Sequence, residues 1–455
     1  MTIQQAMQQM PGEPEREAVA KGESPGHASS VEARCPRPDP SLTGSRLLEA
    51  ALDRGNLLLA LKQVRSNKGV AGVDGLTIDE TVQQLKTTWP AIRAQLLAGD
   101  YRPAPVRRVL IPKPGGGERK LGIPTVTDRL IQQALLQVLQ PLLDPGFSDH
   151  SYGFRPGRSA QQAVLAAQQH IQLGRQVVVD VDLEQFFDCV NHDLLIARLG
   201  KKVSDRRILR LIRAYLNCGA RIGQDIVVSR QGTPQGGPLS PLLANVVLDE
   251  VDKALEKRGH CFVRYADDCN VYVRSPKAGQ RVMAMLRRLY SRLGLRVNES
   301  KSAVASAFGR KFLGYGFWLT PDGKIRRWVA SKAIQAFKQR IRKLTARNSG
   351  RSLEQVIEGL RPYLRGWKAY FCLSQTTAMW ERLDGWIRRR LRALQLKQWR
   401  TGKTIYRELR KLGAPPERAA QIAADSHRIW HNSAGFIHGI LTVVWFDRLG
   451  LPRLC

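Results

Sequence analysis

The sequence lacks the features that would tie it to a membrane or an oxidising compartment. No uninterrupted apolar run approaches the roughly 20 residues that span a bilayer, and the N-terminus has no charged-then-apolar secretory pattern. Seven cysteines form no C-x-x-C pair and no Cys/His cluster at zinc-ligand spacing, which argues against a zinc-finger nuclease module and for reduced thiols. A cytoplasmic protein with no membrane partner is expected. Acidic side chains are also scarce, 39 Asp plus Glu against 72 Lys plus Arg, a net charge of +33. Such an excess makes nucleic acid the default partner. It is uneven: residues 321–455 hold 28 basic and nine acidic side chains.

At 455 residues the chain is too long for one ordinary core. Residues 1–45 are rich in Gln, Glu, Pro, Gly and Ser without apolar periodicity, and a disordered lead-in is expected there. Apolar spacing predicts one helix over 47–64, a turn-rich loop over 67–75 and a second helix around 85–97. A strand over 106–111, a turn over 112–117, a returning strand over 120–123 and a helix over 128–143 follow. The β-branched run 177–181 reads as a buried strand ending in acid, and 262–265 with 270–273 as a hairpin carrying Asp267 and Asp268 on its turn. This is an α+β core. Beyond about Pro321 the pattern turns helical and basic and holds seven of the nine tryptophans, most of them expected in the core.

Chemistry concentrates at Tyr265-Ala266-Asp267-Asp268. Two adjacent carboxylates on an apolar hairpin repel unless a cation lies between them, and hard divalent metals, Mg²⁺ first, prefer such oxygen ligands. In VVVDVDLEQFFD (177–188), Asp180 and Asp182 end an apolar strand. Two-metal phosphoryl transfer needs an acid from each of two neighbouring strands, and Asp182 with Asp267 would be that pair. Acids that merely solvate a strand end would suit either segment alone, and fit the two together less well. Gly232-Thr233-Pro234-Gln235-Gly236-Gly237, ahead of a helical run from Leu242, is a loop whose backbone can approach phosphate or base closely. A plain turn is the alternative.

The ordered set IPKPGGGERKLGIP (111–124), SYGFRPGRS (151–159), VDVDLEQFFD (179–188), GTPQGGPLSPLLAN (232–245), RYADD (264–268), LRVNESKS (295–302) and FLGYGF (312–317) resembles the successive blocks of group II intron reverse transcriptases. RPYLRGWKAYF (361–371) resembles their maturase, or X, domain. The resemblance implies a right-hand polymerase whose fingers and palm, with an antiparallel sheet, precede an α-helical thumb and maturase domain. Expected limits are 46–175 for an N-terminal extension and fingers, 176–319 for the palm, 320–355 for the thumb and 356–455 for the maturase domain. It implies Asp182, Asp267 and Asp268 as catalytic ligands of a two-metal Mg²⁺ site, with Asp180 a neighbour. It makes Phe187 a steric gate against the ribose 2′-hydroxyl, hence dNTP substrates. Lys113 and Arg119, on opposite arms of the Gly115-Gly116-Gly117 turn, would converge on the triphosphate, joined by Arg107, Arg155 and Gln235. Intron RNA contacts fall to Arg361, Arg365, Lys368, Arg388, Arg389 and Arg390, expected to stay exposed, while helical spacing favours core packing for Trp367, Tyr370 and Phe371.

Many relatives carry a C-terminal DNA-binding and HNH endonuclease region with Cys pairs. This sequence departs from that pattern and resembles the class C members, so second-strand cleavage is not expected and the primer must come from elsewhere. The implied activity is an RNA-directed DNA polymerase acting on RNA template with DNA primer or target DNA. It would also bind its intron RNA in splicing, reverse splicing and retrohoming, and associate with the nucleoid when on target. Two rivals stay open, an intron-free reverse transcriptase recruited for DNA repair or phage defence and a splicing maturase without polymerase activity, and an RNA-dependent RNA polymerase is a weaker third. Sequence leaves the oligomeric state unassigned.

Overall fold

The computed structural model describes residues 46–112, 118–223, 225–228 and 231–455. The lead-in (1–45), Lys113 and the Gly115-Gly116-Gly117 turn lie outside the described residues. Two compact units are formed, 46–306 and 307–455. No helix among the described residues is long and apolar enough to cross a membrane.

The strands of the first unit are Val106–Pro112 (β1), Glu118–Ile123 (β2), Val177–Val181 (β3), Ala220–Ile222 (β4), Asp225–Val227 (β5), Cys261–Tyr265 (β6), Asp268–Val273 (β7) and Ala303–Ser306 (β8). They make two sheets, ordered β2-β1-β4-β5 and β6-β7-β3-β8. The second sheet is antiparallel throughout, with β3 between β7 and β8. Val179, Val181, Cys269 and Val271 on its inner strands are fully buried, each aliphatic contributing roughly 1.5–3 kcal/mol. Helix Ser240–Glu256 is buried almost all round, and helix Pro276–Arg292 buries Val282, Met283, Leu286 and Tyr290. Gly279 allows that helix to close on the sheet, since a Cβ there would lie 2.4 Å from Val304 Cγ1.

The expected helix over 47–64 is two helices, Leu47–Ala51 and Arg54–Ser66. Asp53 breaks it: extended at ψ 145°, its carboxylate accepts from Gly55 N and starts the second helix. Thr77 and Glu80 form a capping box that begins the next helix at Ile78, earlier than apolar spacing predicts.

The second unit is not helical from its start. Lys311–Phe312 (β9), Tyr315–Leu319 (β10) and Ile325–Val329 (β11) form a three-stranded sheet, the last of them in the stretch read as helical. The turn at 320–324, where Gly323 has φ 75°, brings β11 back on β10 with Phe317 opposite Arg327. Helices Ser331–Leu344, Leu353–Tyr370 and Thr377–Trp399 follow. Trp367, Tyr370 and Phe371 are buried, as their spacing predicts. Trp367 is wedged among Phe337 at 4.2 Å, Phe371 at 4.8 Å and Trp380 at 5.3 Å between ring centroids.

Candidate active site

The β6–β7 turn presents Asp267 and Asp268, with Tyr265 paired to Asp268. Ala266 is the first residue of the two-residue turn and has φ 59°, a left-handed conformation that costs a non-glycine residue roughly 1–2 kcal/mol. Four residues hold it. Arg264 Nη1 donates to the Ala266 carbonyl and to Asn245 Oδ1, both at 2.9 Å. Asp252 accepts from Arg264 Nε at 2.8 Å, and both side chains of this ion pair are fully buried. Asn245 in turn donates to the Gly153 carbonyl at 3.0 Å, and Gly153 lies flat against the turn: a Cβ there would stand 2.2 Å from Ala266 N.

The first acid arrives on β3. Val181 pairs with Cys269, so one further step of the register sets Asp182 opposite Asp268, and alternation puts Asp180 on the same face. Segment 296–302 clamps Asp182 from its other side. Its N–H donates to Ser302 Oγ at 3.0 Å and its carbonyl accepts from Asn298 N at 2.8 Å. Asp182 Oδ2, sealed from solvent and without an aligned hydrogen bond, faces Lys301 Nζ at 3.2 Å. Burial, with Asp180, Asp267 and Asp182 nearby, pushes the Asp268 carboxyl up to about 8. The cluster is therefore short of positive charge. Among the described residues, no three His, Cys, Asp or Glu side chains converge as a closed metal cage. Mg²⁺ commonly takes only one or two carboxylates and completes its shell with phosphate and water, which suits a sealed Asp182 oxygen beside a half-buried Asp267.

The glycine-rich loop is sewn to the segment after Asp182. Gly232 N donates to Val190 O at 2.7 Å and Thr233 N to Phe187 O at 2.6 Å. Gly232, at φ 92°, has no room for a Cβ, which would lie 2.9 Å from the Phe187 and Asp188 carbonyls. His192 locks the loop by donating from Nε2 to Gly232 O at 2.7 Å. The Gln235 carbonyl accepts from Gly122 N on β2 at 2.9 Å, and Gly236 packs against the Gly122 carbonyl. Phe187, Gln235 and the β1–β2 hairpin are thus brought together. Half-buried Arg107 on β1 has a solvent-sealed Nε without a hydrogen-bond partner, and Arg119 is half-buried on β2 opposite Ile111.

Two expectations are corrected. Arg155, expected in the nucleotide pocket, is buried and engaged by protein partners. Its side chain is 5% exposed, paired through Nε with Asp144 Oδ1 at 2.8 Å and bound to the Ser148 and Ser151 carbonyls, so its guanidinium braces the loop that carries Gly153. The maturase-region arginines do not all stay exposed. Arg388 is buried against Asp384 at 3.0 Å, one helical turn earlier, because the carboxylate offsets its desolvation. Arg361 holds the Gly450 carbonyl at 3.0 Å, Arg389 covers the Trp430 ring at 4.2 Å, and Arg390 donates to Thr345 Oγ1 at 2.7 Å. Arg365 is exposed and Lys368 half-buried.

Sequence reasoning missed Gly153, Asn245, Asp252, Arg264 and Lys301. A charged residue inside the apolar strand CFVRY, and Asn245 with Asp252 two turns apart in an apolar helix, were the available signals. Lys301 offered none.

An antiparallel sheet that delivers acids from β3 and from the neighbouring hairpin turn, with a glycine-rich loop against the aromatic five residues beyond the first acid, defines a template-copying nucleotidyltransferase of the reverse transcriptase class. Residues 111–317 match the reverse transcriptase (RNA-dependent DNA polymerase) family, and residues 334–413 match the group II intron, maturase-specific domain. The chain thus carries a match to a reverse transcriptase domain followed by a match to a group II intron maturase-specific domain. It is 36% identical over 226 residues to Protein YkfC of Escherichia coli, covering 48% of this chain and 59% of that protein. It is 38% identical over 196 residues to the group II intron-encoded protein LtrA of Lactococcus lactis subsp. cremoris, covering 43% and 32%. An uncharacterized 91 kDa protein in a Schizosaccharomyces pombe cob intron is 36% identical over 219 residues, covering 45% and 25%. These matches span less than two thirds of each relative's length.

Proposed function

We propose that the protein is an RNA-directed DNA polymerase that also binds its intron RNA to assist splicing, reverse splicing and retrohoming, acting in the cytoplasm and on nucleoid DNA. The carrying observation is the meeting of Asp182 with the Asp267-Asp268 turn beside a cradle made by Phe187 and the Gly232–Gly237 loop. Asp182, Asp267 and Asp268 would hold two Mg²⁺ ions, which when bound activate the primer 3′-hydroxyl and neutralise the triphosphate. Phe187 excludes a ribose 2′-hydroxyl and so selects dNTP. Arg107, Lys113 and Arg119 pair with the triphosphate, and the Gln235 segment supports the incoming nucleotide. Lys301 holds the Asp182 carboxylate in position until substrate arrives. The first unit reads as fingers and palm, and the helical second unit as thumb and maturase domain, with Arg365, Lys368 and the open faces of Arg361, Arg389 and Arg390 toward RNA.

Substituting Asp267 by Asn and measuring extension of oligo(dT) on poly(rA) tests the reading. Loss of extension with retained RNA binding is expected, and undiminished extension would overturn the ligand assignment. Wild-type protein that binds intron RNA tightly but adds no dNMP with Mg²⁺ would leave a splicing maturase alone.

A further inference from the structure

Behind the palm sheet lies an open groove of about 580 Å³ lined by six arginines: Arg175, Arg258, Arg274, Arg281, Arg288 and Arg292. No lysine, aspartate or glutamate lines it. Arg281, Arg288 and Arg292 recur at seven and four residues, so they form one stripe of helix Pro276–Arg292. Arg274 extends from the end of β7, Arg175 precedes β3, and Arg258 follows helix Ser240–Glu256. Among the described residues none of the six is paired with a carboxylate, whereas Arg287, on the same helix but outside the groove, is capped by Glu299 at 2.7 Å. The floor is apolar, made by Val282, Met285 and Leu289 of the same helix.

The groove is separate from the polymerase acids on two counts. It lies at the open end of the β6–β7 hairpin, beside Cys261 and Val273, and Val273 stands five steps along the strand from Asp268, about 17 Å at roughly 3.4 Å each. The helix that forms it also rests on the opposite face of the sheet: at Gly279 it meets Val177 and Val179, while Asp180 and Asp182 alternate to the other side.

We propose that this groove binds a single-stranded RNA segment, distinct from the template–primer held at the acids. Six guanidinium groups without carboxylate partners repel one another, and a line of phosphates neutralises them at once. An apolar floor beneath an arginine rim suits a strand that turns bases inward to stack while its backbone runs along the rim. A duplex would offer only phosphates and leave the floor unused. A match to an RNA-dependent polymerase joined to a match to an intron maturase-specific domain favours RNA as the strand bound.

The test uses full-length protein saturated with poly(rA)/oligo(dT), then irradiated with a 4-thiouridine-containing RNA 12-mer. Adducts are expected within residues 272–292, with crosslinking reduced at least about tenfold in R281E/R288E and largely kept in R281K/R288K. Extension of oligo(dT) should stay within about twofold of wild type in both variants. Both side chains are exposed on the helix, so the fold is retained. Absence of adducts from that span, unchanged crosslinking in the Glu variant, or equal capture of a 4-thiothymidine DNA 12-mer would overturn the proposal. So would a parallel loss of extension, which would join the groove to the template path. A wild type that crosslinks but does not extend would sink the polymerase reading and leave the groove intact.

Discussion

Gly153→Ala would place a methyl group where the backbone of the acidic turn already stands. Its Cβ would lie 2.2 Å from Ala266 N, 2.9 Å from Tyr265 C and 3.1 Å from Ala266 Cα. Carbon normally approaches backbone no closer than about 3.4 Å, so the turn or the 151–155 loop must retreat on the order of 1 Å in a close-packed interior. The loop resists, because Arg155 ties it to Asp144, Ser148 and Ser151, and Tyr152 N donates to Arg264 O at 2.9 Å. The turn is held as well, through Arg264, but Ala266 already carries the cost of a left-handed conformation, so the displacement is expected there. A shift of about 1 Å at reacting groups costs on the order of a hundredfold in rate, against roughly 1–3 kcal/mol of stability for the overpacked site. Steady-state extension of poly(rA)/oligo(dT) should therefore show kcat reduced about a hundredfold with template–primer affinity unchanged. Gly385→Ala, with nothing within 4 Å of its Cβ, serves as the control. A Gly153→Ala kcat within about threefold of wild type would refute the claim that this glycine seats the acids.

Asp252→Asn leaves Arg264 charged and buried, so it should cost roughly 3–5 kcal/mol and expose β6–β7 amides to hydrogen exchange; a change below about 1 kcal/mol would count against the pair as the turn's anchor. Asp268, ordinarily near 3.8 and raised to about 8 by burial and flanking carboxylates, keeps in the folded state a proton that the unfolded chain releases. Metal-free stability should therefore fall as pH rises from about 4 to 8, and the Mg²⁺ concentration for half-maximal extension should drop as pH approaches about 8 and then level. A Mg²⁺ requirement that is flat across that range contradicts it. Arg388→Ala should lower the melting temperature and leave the salt dependence of RNA binding unchanged, whereas Arg365→Ala should reduce that slope by about 0.7 at unchanged stability. The reverse pattern would show that burial does not separate structural from RNA-facing arginines.

Much of the site was legible because its parts sit where periodicity breaks. Val177–Val181 is a β-branched run that stops at acid, and CFVRY with DCNVYV flank a turn, so the strands that carry Asp182 and Asp267 follow from pattern alone. What pattern cannot supply is the identity of a partner far along the chain. Arg155 looks like any arginine in a glycine-rich block until Asp144, eleven residues earlier, is found beside it. Arg388 was more accessible, since Asp384 precedes it at the spacing that pairs charges on a helix. The break at Asp53 and strand β11 were missed for another reason: local turn chemistry overrode an apolar spacing compatible with a longer helix.

The net charge of +33 is therefore a poor map of where nucleic acid lies. Arg155, Arg264, Arg388 and Arg392 are all buried, and Arg392 is brought down to about 10 by burial and the nearby Arg388. Each of these is held by carboxylates or backbone carbonyls. Their positive charge fixes loops and helices and is unavailable to a phosphate. The converse criterion is more informative: an arginine that stays exposed, lacks a carboxylate and stands beside others in the same condition adds to a repulsion that a polyanion relieves. By that criterion the palm groove, in a stretch of sequence that composition did not single out, carries a stronger demand for phosphate than the Arg388-Arg389-Arg390 triplet.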